Sequence, residues 1–291
     1  MLVLLVVVAM AGMTAAASEA PADPGDDDDL ELYKATVDAS KLPTLQRGGY
    51  DIASVKETAA GAEVELVLSG TDRDRLRGQG IQLDVVRDQQ GRTQRQRAEV
   101  QAAAGFTVWR SYDEPGGIRD QMYDLARRNP QLVKLEVLGR TRQGREYIAV
   151  KLTQDARDVA DGTRPATLYA ATHHAREWIS TEVDRRLLNW YVDRWRANDK
   201  DVKALLKSNE LWFVLVHNPD GYQYTFDVER LWRKNLRDND GNGTIDNNDG
   251  VDPNRNYAEH WGYDEEGSSS LFPARPTAAP RPSPSRRPRR W

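Results

Sequence analysis

From residue 106 onward, short apolar runs alternate with segments of helical periodicity, and this alternation constrains the fold more than any other feature of the sequence. A helix is expected over residues 117–128, closed by Asn129-Pro130, because the residue before a proline is biased out of the helical region. Strands are expected at 132–138 and 146–152, and the run ATLYAAT at 166–172 is a further short apolar segment. The stretch ISTEVDRRLLNWYVDRW, 179–195, places Val183, Leu187, Leu188, Tyr191 and Trp195 on one helical face, and ELWFVLV, 210–216, reads as a buried strand. Strands that alternate with helices argue an α/β sandwich.

At 291 residues the chain has room for a second unit upstream of this one. Strands at 31–37, at 62–68 and from Ile81, with helical segments at 42–47 and 72–79, predict a small α+β unit over 31–87. Residues 88–105 are rich in Gln and Arg and lack core-forming side chains; they read as a linker whose arginines suit a trypsin-like protease. The first 17 residues are apolar and end in Ala-Ala-Ala before Ser18, the pattern of a secretory signal, although a positive amino-terminal region is missing. Export is therefore expected, with no membrane attachment after cleavage, and 18–30 forms an acidic spacer. A net charge of −4 offers nucleic acid no basic face. With no cysteine, the chain has neither disulfides nor thiolate ligands, so a transition metal would have to use histidine and carboxylate.

One such set lies in THHAREWIS, 172–180, where an apolar run gives way to a helical one. His174 and Glu177, three residues apart near the presumed carboxyl edge of the sheet, can face one small cation. Zinc accepts both donor types and in catalytic sites keeps a fourth position for water. The competing explanation is a helix cap beside a solvated charge.

Downstream come HNPDGYQYT (217–225), RLWRKN (230–235) and DGVDPNRNY (249–257); with HHAREW, and with GRTRQGRE at 139–146, these resemble in order the signature blocks of the zinc metallocarboxypeptidase family. The likeness spans roughly residues 112–270 and implies an α/β/α sandwich with a mixed sheet behind a small α+β pro-domain. It implies that His174 and Glu177 are the first two zinc ligands, that Arg176 lines the substrate groove and that Arg233 stabilises the oxyanion. Asn254 and Arg255 match the clamp on the substrate's terminal carboxylate, and Asp252 matches the carboxylate that orients the first histidine ligand. Without that context Arg233 and Arg255 would read as ion-paired surface residues, and Asp252 and Asn254 as turn formers beside Pro253. Trp178, Trp212 and Trp232 read as core aromatics, and His173, His217 and His260 as structural.

Between Arg233 and Asn254, DNDGNGTIDNND (238–249) fits the twelve-residue calcium loop: Asp238, Asp240, Asn242, Thr244, Asp246 and Asp249 stand at the liganding positions, with Gly243 at the sharp turn. Asp249 departs from the usual bidentate glutamate. An uncoordinated polar turn is the alternative.

The resemblance stops near Ser270. The family's third zinc ligand, its general-base glutamate and its substrate-covering tyrosine lie beyond that point, where this chain continues as a Pro- and Arg-rich tail, 271–291. The tail is either a disordered appendage or a frameshift product: one permitted set of codons for residues 276–286, read two bases later, spells a phrase resembling the family's continuation. The resulting expectation is a secreted, zinc-dependent, monomeric carboxypeptidase acting on peptides or proteins with a free C-terminus, this chain being an incomplete and inactive version. Two alternatives stand beside it: a non-catalytic secreted peptide-binding or calcium-binding module, and another zinc amidohydrolase on the same scaffold.

Overall fold

The computed structural model describes residues 29–106, 108–259 and 261; the signal-like segment, nearly all of the acidic spacer, His260 and the tail lie outside the described residues. The N-terminal unit runs β1 (Glu31–Val37), α1 (Leu42–Arg47), β2 (Asp51–Thr58), β3 (Gly61–Leu68), α2 (Gly70–Gly78) and β4 (Asp84–Val85). Its sheet has the order β2-β3-β1-β4, antiparallel throughout. Alternation in β1 and β3 turns Tyr33, Ala35, Val37, Val64, Leu66 and Leu68 onto a core closed by Leu45 of α1 and Leu76 of α2. Ser69 starts α2 by accepting a hydrogen bond from the Asp72 N–H at 3.2 Å.

Two expectations shift here. Strand β2 was not anticipated, because as an edge strand it buries none of its residues and carries no apolar alternation. The strand expected from Ile81 pairs only at Asp84–Val85, although Ile81 and Leu83 are buried.

Residues 88–105, expected to be a linker, carry helix α3 (Gln94–Ala104). A reciprocal capping box starts it: Thr93 Oγ1 accepts from Gln96 N, and Gln96 Oε1 accepts from Thr93 N. None of its residues is buried, so it belongs to neither core.

The second unit contains α4 (Ile118–Arg128), β5 (Val133–Arg140), β6 (Glu146–Leu152), β7 (Ala166–Ala170), α5 (Trp178–Arg196), α6 (Lys200–Ser208), β8 (Glu210–Val214) and α7 (Pro219–Asp227). The sheet is mixed, with the order β5-β6-β8-β7; only β7 and β8 run parallel. The register stacks Val150 beside Phe213 and Leu152 beside Leu211, and helices α4 to α7 pack their apolar residues on this face. Each such fully buried side chain contributes about 1.5–3 kcal/mol. The neighbouring positions point the other way, where Lys151, completely buried, meets Asp161 at 2.8 Å and Glu210 at 3.4 Å.

On α5 the expected apolar face is only partly correct. Leu188 is buried and Leu187, Tyr191 and Trp195 pack against the core, but Val183 is 56% exposed because Thr181, Leu188 and Val192 define the buried stripe. Among the described residues no helix is long and apolar enough to cross a membrane.

Candidate active site

The site forms where β7 ends and α5 begins. Thr172 takes a positive φ of 53°, a costly state for a β-branched residue. A hydroxyl web holds it there: its N–H donates to Ser180 Oγ at 3.0 Å, its Oγ1 lies 2.5 Å from Thr181 Oγ1, and Thr181 Oγ1 reaches the Leu215 carbonyl at 3.1 Å. The reversal brings His174 and Glu177 together at the end of the strand. Ala175 N–H donates to the Arg233 carbonyl at 2.9 Å, tying this turn to the segment 230–236. Beneath it, Ala175, Trp232 and Leu236 form a small core joined by Ile245 of the acidic loop.

His174 Nδ1 lies 2.7 Å from Glu177 Oε1. On the other side of the ring, Nε2 lies 3.2 Å from Asp252 Oδ1, near in distance but turned out of hydrogen-bond alignment. Burial disfavours the charged imidazole, but the Asp252 and Glu177 carboxylates outweigh it and raise the His174 pKa. Burial pushes Asp252 upward, yet His174 and Arg233 prevail and hold it well below the usual carboxylate range. One imidazole nitrogen and one carboxylate thus face each other, while a carboxylate stands behind the ring. This is the chemistry of two zinc donors with an orienting partner. A third donor does not converge on them among the described residues; Asp238, Asp240 and Asp249 are the group whose ligand atoms do cluster.

Arg233 donates from Nε to Asp252 Oδ2 at 3.1 Å. Its NH1 stands 3.5 Å from Asp51 Oδ1 of the N-terminal unit. Asp51 also receives Arg176 through two hydrogen bonds, NH1 to Oδ2 at 2.5 Å and NH2 to Oδ1 at 2.8 Å. A carboxylate from β2 therefore sits between the two expected groove arginines. Asp51 and Arg233 line a cleft of about 510 Å³ between the units, together with Asp252 and Arg255. Asn254 and Arg255 are exposed on a 3-10 turn, and Arg255 NH1 donates to the Asn254 carbonyl at 3.1 Å.

His173 and His217 stack with ring centres 4.1 Å apart. Each meets a phenol: His173 Nε2 lies 2.6 Å from Tyr257 OH, and His217 Nδ1 lies 2.7 Å from Tyr147 OH. Burial, helped by His173, lowers the His217 pKa to about 4. Trp178 and Trp232 are buried, whereas Trp212 is half-buried and donates to Glu210 at 3.0 Å. The block at 139–146 is fastened to the one at 217–225, since Asp220 accepts from Thr141 Oγ1 at 2.7 Å, from Gln143 N–H at 3.2 Å and from Arg145 NH1 at 3.1 Å.

In the acidic loop Asp238, Asp240 and Asp249 bring carboxylate oxygens within 4.8 Å of one another. The remaining expected ligands are turned to the loop itself. Asn242 Oδ1 accepts from Thr244 Oγ1 at 2.5 Å, and Asp246 Oδ1 accepts from Asn248 N–H at 2.7 Å. Lys234, buried beneath, donates to the carbonyls of Asn247 and Asp249.

The sequence reading missed Asp51, which lies on the edge strand in the other unit, and Thr172, whose role depends on its φ. Neither carries a local signal.

Residues 118–283 match the zinc carboxypeptidase family. The chain is 37% identical over 163 residues to zinc carboxypeptidase A 1 of Drosophila melanogaster, covering 56% of this chain and 35% of that protein. It is 32% identical over 161 residues to carboxypeptidase B of Astacus astacus, covering 55% and 48%. The chain thus spans between about a third and a half of the length of these relatives. In fold it is similar to the crystal structure of carboxypeptidase A from Helicoverpa armigera, with a TM-score of 0.62 at 22% identity over 85% of this chain and 61% of that one. Thrombin activatable fibrinolysis inhibitor gives the same TM-score, 0.62, at 20% identity over 88% and 65%. With 118–283 matching over more than half its length, the chain belongs to the zinc carboxypeptidase family.

Proposed function

We propose that the parent protein is a secreted, zinc-dependent carboxypeptidase that removes C-terminal residues from peptides or proteins, made as a precursor with 31–87 as pro-domain and 106 onward as the catalytic part. The observation that carries this reading is the pairing of His174 Nδ1 with Glu177 at 2.7 Å, with Asp252 behind the ring and Arg233 bonded to the same Asp252. His174 and Glu177 would hold the zinc, which when bound lowers the pKa of its water and polarises the scissile carbonyl. Asp252, 3.2 Å behind Nε2, would orient the imidazole once the metal is held on the Nδ1 side. Arg233, held in place by Asp252, offers its guanidinium where negative charge develops on the carbonyl oxygen. Arg255, which lines the cleft, and Asn254 next to it in sequence would fix the chain end, a planar fork being suited to a carboxylate.

Asp51 supports the pro-domain part of the reading. Its carboxylate lies on Arg176 and beside Arg233, in the groove where a substrate's own carboxylate would pass, so the N-terminal unit competes with substrate for the same cations. With two protein donors and no general base placed among the described residues, the 291-residue chain is expected to hold zinc weakly and hydrolyse little. We also read the 238–249 loop as a structural calcium site, supported by its spacing and by its three converging carboxylates.

Two measurements test the proposal. A longer product of the same locus, freed of residues 1–105, should contain one zinc per molecule and release C-terminal residues, with both properties lost in His174→Ala. A longer product with no stoichiometric zinc would overturn the proposal, whereas release of C-terminal residues by the 291-residue chain itself would overturn only the expectation that this chain hydrolyses little.

A further inference from the structure

Arg230 is a largely buried cation for which the steps above have no use. Its guanidinium carbon lies 3.7 Å from the centre of the Trp178 ring, and its NH1 donates to the Arg176 carbonyl at 3.1 Å. Phe226 stacks on the same indole at 3.9 Å with an interplanar angle of 7°. Both groups are too near the ring centre to share a face, so Trp178 is held between an aromatic ring and a guanidinium. The indole is fixed in its own plane as well, because Nε1 donates to Thr225 Oγ1 at 2.7 Å. Among the described residues no carboxylate lies within ion-pair distance of Arg230, and burial lowers its pKa to about 10, with Arg176 adding to the effect. Burying a guanidinium without a counter-ion is costly, and such departures concentrate where function requires them.

The two groups Arg230 touches bracket Glu177. The Arg176 carbonyl belongs to the peptide that enters Glu177, and Trp178 follows it and opens α5. Glu177 has no side-chain cap of its own, and the turn's internal backbone hydrogen bonds are two, Glu177 N–H to the His174 carbonyl at 3.2 Å and Ser180 N–H to the Glu177 carbonyl at 3.1 Å, the latter carbonyl also accepting from Ser180 Oγ at 2.7 Å. We propose that Arg230 is a positioning residue for the metal-holding turn: by gripping the Arg176 carbonyl and the Trp178 face together, it fixes where the Glu177 carboxylate meets His174. The part of this that concerns metal rests on the zinc reading above. The grip needs a flat, forked group, since a lysine ammonium cannot both lie along the indole and reach the carbonyl.

The test uses the full chain with Arg230→Lys and Arg230→Met. Without metal, amide hydrogen exchange at Ala175, Glu177 and Ser180 should be accelerated about tenfold or more in both variants, while core amides of β6 such as Val150 keep the wild-type rate. Zinc affinity, read by competition with a chelating dye, should fall by about 10- to 100-fold, as it does when partners that orient metal ligands are removed. Unchanged exchange in the turn overturns the proposal. So does acceleration spread evenly over the β6 amides, which marks a merely structural arginine, or full rescue by lysine, which assigns the effect to charge alone. If the wild-type chain holds too little zinc to titrate, as its two donors lead one to expect, the metal-free exchange comparison alone decides the role of Arg230, and the zinc reading is decided on the longer product.

Discussion

Replacing Asp51 with asparagine isolates the contact between the two units. Arg176 donates two hydrogen bonds to this carboxylate, and the two side chains, arginine and aspartate, are only 12% and 21% exposed. Hydrogen bonds to charged groups contribute about 1.5–3 kcal/mol each, and breaking a fully buried pair costs about 3–5 kcal/mol. Because this pair keeps some solvent, and because the amide introduced by Asp51→Asn would retain one acceptor, the expected loss is about 2 kcal/mol. At about 1.4 kcal/mol per decade that is roughly 30-fold in any equilibrium that displaces Asp51 from Arg176 and Arg233. The assay is calorimetric titration with a blocked dipeptide that ends in a free carboxylate. Asp51→Asn should bind it about 30-fold more tightly than wild type, and a parallel titration of Arg176→Met should show the gain disappear. Equal affinities for wild type and Asp51→Asn would refute the argument that this carboxylate competes for the groove.

Three further outcomes follow from the geometry. His217 is held mostly neutral with its pKa lowered to about 4, so the unfolded chain binds the extra proton first; its contribution is intact above the unfolded value near 6.5 and is lost as pH falls toward 4. Removing the titration with His217→Gln should flatten the stability profile over that interval by up to about 3 kcal/mol in denaturant melts at stepped pH. Calcium, but not zinc, should restore a melting temperature lowered by chelation, and Asp249→Ala should abolish the effect; indifference of the wild type to chelation would sink the calcium reading. Gly250→Ala should cost about 3 kcal/mol or more, since φ is 77° there and a Cβ would meet the Asn235 carbonyl at 2.4 Å; a wild-type melting temperature would contradict this.

The sequence by itself determined the pieces whose signal is local. Apolar patterning identified strands β5, β6 and β8 and the helix α5, and a proline stop bounded α4, because burial on a sheet or helix face imposes a pattern that survives without knowledge of the partner. The blocks around His174, Arg233 and Asp252 were legible because their residue types and spacing resemble the signature blocks of the zinc carboxypeptidase family. Short α6 and α7 escaped notice, as did α3, where capping and not an apolar stripe specifies the helix. Only the tertiary structure decided that β2, silent in pattern, delivers Asp51 to two arginines more than a hundred residues away, and that Arg230 stacks on Trp178 instead of pairing with an acid. It also turned Val183 outward and left Arg255 on an exposed turn. The physical reason is common to all of these. Local propensity sets what a segment can become, but which charges meet and which surfaces are covered depends on contacts that close large loops, and no residue records its distant partner in its own neighbourhood.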